Sequence, residues 1–331
     1  MDNEGLALRV GIAGAGVIGR GWVKVFARAG CVTTIYDKKP GQAERTRRWF
    51  LEDLQTAVGK GLITKSAAEQ QAYNVTCKAI ESAFLEVDYV QESGPEELET
   101  KRSIFTELDE VTVPSAIIGS STSALNINEI AKNLPGSKRM ITAHPINPPY
   151  LNPAMEVFPT NSVTPQTLQR ALQILRSVGM KPVVMTSFIN GYIAARLQAA
   201  LMREAINIVQ RGIATVEGVD TMVRHGIGQR WAFLGPFGVN HTNADGGIRE
   251  YYTRYRRTYL EIMNDLYDEV PRFDTAMVDA LGEQTDQMFG EVTVKELVGW
   301  RDERVAELIQ SKVDSEISPQ SPDMCRDEKT L

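Results

Sequence analysis

Gly14, Gly16 and Gly19 close the run Val10–Gly19, in which an apolar stretch leads into Gly-Ala-Gly-Val-Ile-Gly. In a G-x-G-x-x-G pattern the first glycine permits a tight turn and the second lets a charged group approach the backbone. The third lets a helix pack closely on a strand, and the free N–H groups at the helix start attract phosphate. Asp37 follows 18 positions beyond Gly19, at the end of the next β-branched run. A carboxylate there accepts hydrogen bonds from ribose hydroxyls and repels a 2′-phosphate. The spacing therefore predicts a dinucleotide site of Gly14, Gly16, Val17, Ile18, Gly19 and Asp37, with NAD favoured over NADP. Lys38 and Lys39 come next and could soften that preference, although a solvated turn is the favoured account of them.

The chain holds three histidines, and His144 differs from the others in setting. It ends the strand-like run Met-Ile-Thr-Ala-His-Pro, ahead of a loop rich in Pro and Asn. Imidazole titrates near neutrality, with an ordinary pKa of about 6.5, so a histidine at a strand end suits proton transfer. His225 and His241 fall in helical sequence, where a core or surface role is the default.

These residues need a frame. Leu8–Gly14 reads as a buried strand, Val17–Ala29 as a helix and Thr33–Tyr36 as a second strand, followed by a helical stretch from Gln42 towards Gln71. Further strand-like runs lie at Asp88–Val90, Ala116–Gly119, Met140–Ala143 and Val183–Met185. Strands alternating with helices predict an α/β Rossmann domain, a doubly wound, mostly parallel sheet whose strand C-termini face the ligand. Beyond Phe188 only helical periodicity remains, at Ile193–Arg211, Arg249–Leu266, Thr275–Phe289 and Val294–Ile309. The expected division is an NAD-binding domain over 1–188, an all-α C-terminal domain over 189–314 for substrate and dimer contacts, and a flexible tail over 315–331.

Composition excludes several classes. With 331 residues the chain is long enough for two cores, and its net charge of −6 argues against nucleic acid or an anionic membrane surface as partner. No apolar run is long enough for a membrane span, and the N-terminus lacks the pattern of a secretory signal. Cys31, Cys77 and Cys325 are odd in number and widely spaced, which disfavours a disulfide framework or a metal site. A reducing, cytoplasmic setting is expected.

Gly119–Leu125 (Gly-Ser-Ser-Thr-Ser-Ala-Leu), His144–Pro148 (His-Pro-Ile-Asn-Pro) and Met155–Val157 (Met-Glu-Val) resemble the 3-hydroxyacyl-CoA dehydrogenase superfamily. The spacing from Ser123 to His144 to Glu156 matches that family, over a stretch running from Val10 to about Ile309. Arg230–Phe237 (Arg-Trp-Ala-Phe-Leu-Gly-Pro-Phe) resembles the branch of λ-crystallin/L-gulonate 3-dehydrogenase and carnitine dehydrogenase, which uses free acids. The resemblance implies His144 as general base, Glu156 as its orienting carboxylate and Ser123 on the substrate oxygen. It also implies Glu96 and Lys101 at the cofactor, Asn147 in the substrate loop, and a homodimer. A guanidinium at Arg230 could pin a carboxylate by two parallel hydrogen bonds. Plain structural roles stand beside these: a helix N-cap for Ser123, a surface charge for Glu156, a helix-start pair for Glu96 and Lys101, and a salt bridge for Arg230.

One position departs from the pattern. The family carries Asn in a Gly-Phe-x-x-Asn-Arg context, and here Gly191–Arg196 reads Gly-Tyr-Ile-Ala-Ala-Arg, with Ala195 in place of the amide. Three activities follow as expectations. The first is NAD-dependent oxidation of the 3-hydroxyl of a small or medium hydroxy acid. The second is a 3-hydroxyacyl-CoA dehydrogenase with a basic groove near Lys60 and Lys65. The third is a non-redox protein that keeps NAD for structure.

Overall fold

The computed structural model describes residues 7–266 and 274–314, so the expected tail over 315–331 lies outside the described residues. The chain divides into two compact units after Arg196.

In the first unit, β1 (Arg9–Ala13), β2 (Val32–Tyr36), β3 (Val75–Cys77), β4 (Tyr89–Glu92), β5 (Ile117–Ser120), β6 (Met140–Pro145), β7 (Ala154–Pro159) and β8 (Lys181–Val184) form one sheet. Its order is β3-β2-β1-β4-β5-β6-β7-β8. Among the described residues β6 and β7 run antiparallel, and the other neighbouring pairs are parallel. This is the doubly wound sheet that the sequence predicts. Around it lie α1 (Val17–Arg28), α2 (Gln42–Gly59), α3 (Lys65–Tyr73), α4 (Ile80–Ala83), α5 (Leu98–Val111), α6 (Ile127–Ile130) and α7 (Pro165–Ser177).

Alternation along the strands sends side chains to two apolar layers. Val10, Ile12, Tyr89 and Ile117 join Trp22, Phe26 and Phe50 in one layer. Ala13, Val90 and Ile118 join Phe84, Phe105 and Leu108 in the other. Helix α1 buries Trp22, Val23 and Phe26 on one face, and the Trp22 and Phe26 rings stack with centroids 5.3 Å apart. Burying a side chain of that size contributes about 1.5–3 kcal/mol, so these contacts fix α1, and with it the glycine turn, against the sheet.

Two local differences from the sequence reading stand out. The long helical stretch from Gln42 breaks into α2 and α3 because Gly61 takes a left-handed φ of 71°. Thr64 then restarts the helix, its side chain accepting from the Ala67 N–H at 3.2 Å. Strands β3 and β7 were not anticipated, since β3 has three residues and β7 shows as a motif rather than as an alternating run.

The second unit is helical. Helix α8 (Ala194–Gln210) leads into it, followed by α9 (Val216–Met222), α10 (Gly228–Trp231), α11 (Pro236–His241), α12 (Gly247–Asp265), α13 (Thr275–Phe289) and α14 (Val294–Asp314). The four long helices expected here match α8, α12, α13 and α14. Among the described residues no helix is long and apolar enough to cross a membrane.

Candidate active site

β1 continues to β2 on one side and is flanked by β4 on the other, the switch point at which open α/β sheets hold ligands. A cleft of about 1030 Å³ opens there, lined by Gly14, Gly16, Asp37, Ser93, Gly94 and Ile104 among others. Gly14 has a φ of 98°, and a Cβ on it would lie 2.7–2.8 Å from the backbone of Ser93 and Gly94. A Cβ on Gly19 would lie 1.9 Å from the Gly14 carbonyl oxygen, whereas one on Gly16 would meet nothing within 4 Å. The first and third glycines are therefore demanded by packing, and the second leaves the backbone open to the cleft. Helix α1 opens at Val17 with no side-chain cap and no acidic residue in its first turn, which leaves its leading N–H groups available to an anion. Ile18 is half-buried behind it. Asp37 Oδ2 accepts from the Ala15 N–H at 2.7 Å, and Oδ1 from the Lys39 N–H at 2.8 Å. The carboxylate is thus tied to the glycine turn at the rim of the cleft. These features fit a dinucleotide.

Glu96 organises the loop after β5. Its Oε1 accepts from Thr122 Oγ1 at 2.6 Å, Ser123 N at 2.8 Å, Ala124 N at 3.1 Å and Ser123 Oγ at 3.3 Å. Partial burial alone would raise its pKa. The hydrogen bonds from Thr122, Ser123 and Ala124 and the charge of Lys101 outweigh burial and hold it below the ordinary carboxylate value. Lys101 lies 3.5 Å from Glu96 but is committed elsewhere. It is 1% exposed and bonds both oxygens of the fully buried Glu92, at 2.9 and 3.0 Å. Glu92 also accepts from Ser120 Oγ at 2.5 Å and Gly94 N at 2.6 Å. Every acceptor of this buried pair is occupied, which offsets its desolvation.

His144 and Glu156 are directly opposite in the β6–β7 ladder. His144 Nδ1 lies 2.7 Å from Glu156 Oε2, with side-chain exposures of 14% and 6%. The second oxygen, Oε1, accepts from Ile193 N at 2.6 Å and Ala194 N at 2.8 Å, where α8 begins. A carboxylate facing Nδ1 keeps the proton of neutral imidazole there and leaves Nε2 as acceptor. This arrangement can take a proton and stabilise the cation that results. β5 and β6 are adjacent, so the Ser123 loop and His144 both follow the C-terminal edge of the sheet.

Asn147 is exposed on the β6–β7 connection, and its carbonyl accepts from Asn152 Nδ2 at 3.1 Å. Arg230 belongs to the second unit. With Arg224, Phe233, Trp300, Arg301 and Arg304 it lines a pocket of about 940 Å³. Arg301 pairs with Asp302 at 2.7 Å and Arg304 with Glu307 at 2.8 Å. Among the described residues Arg230 and Arg224 have no such partner.

Three groups escaped the sequence reading: Glu92, Tyr192, and the backbone N–H pair of Ile193 and Ala194. A carboxylate inside a buried strand was the available signal for Glu92. Tyr192 lies in the same Gly191–Arg196 stretch as Ala195, and its residue type alone does not signal the bonds its hydroxyl makes. Backbone donors leave no trace in side-chain identity.

Residues 9–188 match the family model described as 3-hydroxyacyl-CoA dehydrogenase, NAD binding domain, and residues 191–291 match the C-terminal domain of that enzyme. Lambda-crystallin of Oryctolagus cuniculus is 33% identical over 276 residues, which cover 82% of this chain and 85% of that protein. L-carnitine dehydrogenase/betainyl-CoA thioesterase of Rhizobium sp is 33% identical over 299 residues, 90% of this chain, and the chain spans 59% of its length. Among solved structures, FHMPC 5-dehydrogenase, an NAD+ dependent dismutase, superposes with a TM-score of 0.72 at 25% identity, covering 93% of this chain and 98% of that one.

Proposed function

The chain belongs to the 3-hydroxyacyl-CoA dehydrogenase family, and on that premise we propose that it oxidises the 3-hydroxyl of a small or medium hydroxy acid, or runs the reverse reduction. The observation that carries this reading is the His144–Glu156 pair at the edge of a sheet whose switch point fits a dinucleotide. Bound NAD supplies the acceptor for the hydride leaving the carbinol carbon. His144 Nε2 takes the hydroxyl proton, and Glu156 holds the ring and stabilises its positive charge. Ser123 donates to the substrate oxygen, Asn147 shapes the adjoining loop, and Glu96 keeps the Ser123 turn in place. Glu96 would hold the loop beside a bound cofactor, and Lys101, itself buried, would act on it only through Glu92 and the Gly94 turn.

Arg230 is the anchor for the substrate carboxylate. Its pocket sets Arg230 and Arg224, which have no ion-pair partner among the described residues, beside the aromatic walls of Phe233 and Trp300, the chemistry that grips a planar anion. A homodimer is part of the proposal. The second unit exposes Phe233 by 60%, Phe237 by 72% and Met263 by 57%, apolar surface of the kind that subunit contacts cover. Light scattering on the purified chain tests it.

The decisive experiment is NAD reduction against free 3-hydroxy acids and their CoA thioesters. Turnover on a free acid is expected, with His144→Ala lowering kcat by about 10²–10⁴-fold and Arg230→Ala raising KM for the acid. Turnover confined to thioesters, or an acid KM unmoved by Arg230→Ala, would remove the free-acid reading. NADH binding with no turnover on any panel member would favour a protein that keeps the cofactor without redox work.

A further inference from the structure

Gly191 and Tyr192 are consecutive residues with positive φ, 75° and 47°. Glycine adopts such a conformation freely, but a tyrosine there is strained and must be held by its surroundings. The turn they form aims the Ile193 and Ala194 N–H groups at Glu156 Oε1, at 2.6 and 2.8 Å. Because Oε2 of the same carboxylate faces His144 Nδ1, the aim of the imidazole depends on whatever fixes this turn.

Tyr192 fixes it. The side chain is fully buried, and its hydroxyl donates to the Leu125 carbonyl at 2.7 Å and lies 3.5 Å from Thr142 Oγ1. Leu125 closes the loop that carries Ser123, and Thr142 precedes His144 by two residues on β6. The ring centroid is 5.5 Å from that of His144 and 6.1 Å from that of Phe188, edge-on to the latter. One hydroxyl therefore ties together the Ser123 loop, the His144 strand and the turn that restrains Glu156. Burial pushes the phenol up to about 12, so it remains a donor throughout the neutral range.

We propose that Tyr192 is a positioning residue that anchors the 191–194 turn and so keeps Glu156 aimed at His144. The inference rests on the proposed hydroxyl oxidation for its kinetic consequence, but not for its structural one.

Tyr192→Phe removes the hydroxyl and keeps the ring. The expected result is a fall in kcat of about 10–100-fold, a shifted pH–rate profile and an unchanged NADH affinity. Tyr192→Leu, which loses the ring as well as the hydroxyl, is expected to fall further than Tyr192→Phe. Nitrogen-15 NMR of the imidazoles provides a readout without turnover. With three histidines in the chain, the His144 signal is assigned by His144→Gln, and its titration moves in Tyr192→Phe. A moved titration without hydroxy-acid turnover supports the positioning role and locates the failure in the substrate reading. Kinetics and His144 titration both unchanged in Tyr192→Phe would overturn the proposal.

Discussion

Replacing Lys101 with methionine tests the buried ion pair beneath the cleft. The substitution keeps most of the stem and removes the ammonium, leaving the Glu92 carboxylate fully buried without its cation. Breaking such a pair from one side costs about 3–5 kcal/mol. Glu92 would keep the Ser120 hydroxyl at 2.5 Å and the Gly94 N–H at 2.6 Å, which places the expected loss near the lower end, about 3 kcal/mol. At roughly 2–4 °C per kcal/mol for a body of this size, the midpoint of thermal unfolding falls by about 6–12 °C. The double variant Glu92→Gln/Lys101→Met removes the stranded charge and keeps an acceptor for Gly94, so it is expected to recover most of that loss. Circular dichroism melts and urea titrations of wild type, both single variants and the double variant complete the cycle. A loss in Lys101→Met below about 1 kcal/mol, the scale of an exposed pair, would refute the reasoning. So would a double variant no more stable than Lys101→Met.

Gly19→Ala sets a Cβ 1.9 Å from the Gly14 carbonyl, while Gly16→Ala adds one in open space. Thermal melts should show the first destabilised and the second near wild type, with NADH fluorescence titration weakened in both. Glu96, held below the ordinary carboxylate value, contributes stability that is fully present above that range and is lost as pH falls through its lowered pKa. The stability gap between Glu96→Gln and wild type should therefore persist at neutral pH and close only at more acidic pH, as followed by urea unfolding. Burial, reinforced by the charge of Asp88, raises the Cys31 thiol to about 11, so alkylation of Cys31 by iodoacetamide at pH 8, read by peptide mapping, should be negligible in the native protein and rapid in urea.

The parts of this molecule legible in the sequence share one property: their cause is local. The glycine turn follows from a tight approach that Cβ atoms at Gly14 and Gly19 would block. The strand–helix alternation follows from periodicity, and the long helices of the second unit from their spacing of apolar residues. His144 and Glu156 were legible as a motif, but not as strand partners, because β7 lacks a simple alternation and its pairing is set by the chain reversal before it. Lys101 shows the opposite limit. Its position near the cleft was readable, whereas its burial against Glu92 depends on β4 and α5 folding together. Tyr192 was unreadable for a related reason. Its hydroxyl meets Leu125 and Thr142, which stand 67 and 50 positions away along the chain.

The β6–β7 ladder carries one more consequence. His144 faces Glu156 because five consecutive cross-strand pairs, from Ile141↔Pro159 to Pro145↔Met155, hold the two strands in one register. A slip of one residue would turn Glu156 to the opposite face of the sheet and part the two groups. Residues 146–153 lie outside that ladder and are held by other contacts: Arg28 donates to the Tyr150 carbonyl at 3.1 Å and Lys181 N–H to that of Pro153 at 2.7 Å. The register of the acid–base pair and the path of the loop that carries Asn147 thus rest on separate sets of bonds. Side chains exposed on that loop can change without turning Glu156 away from His144.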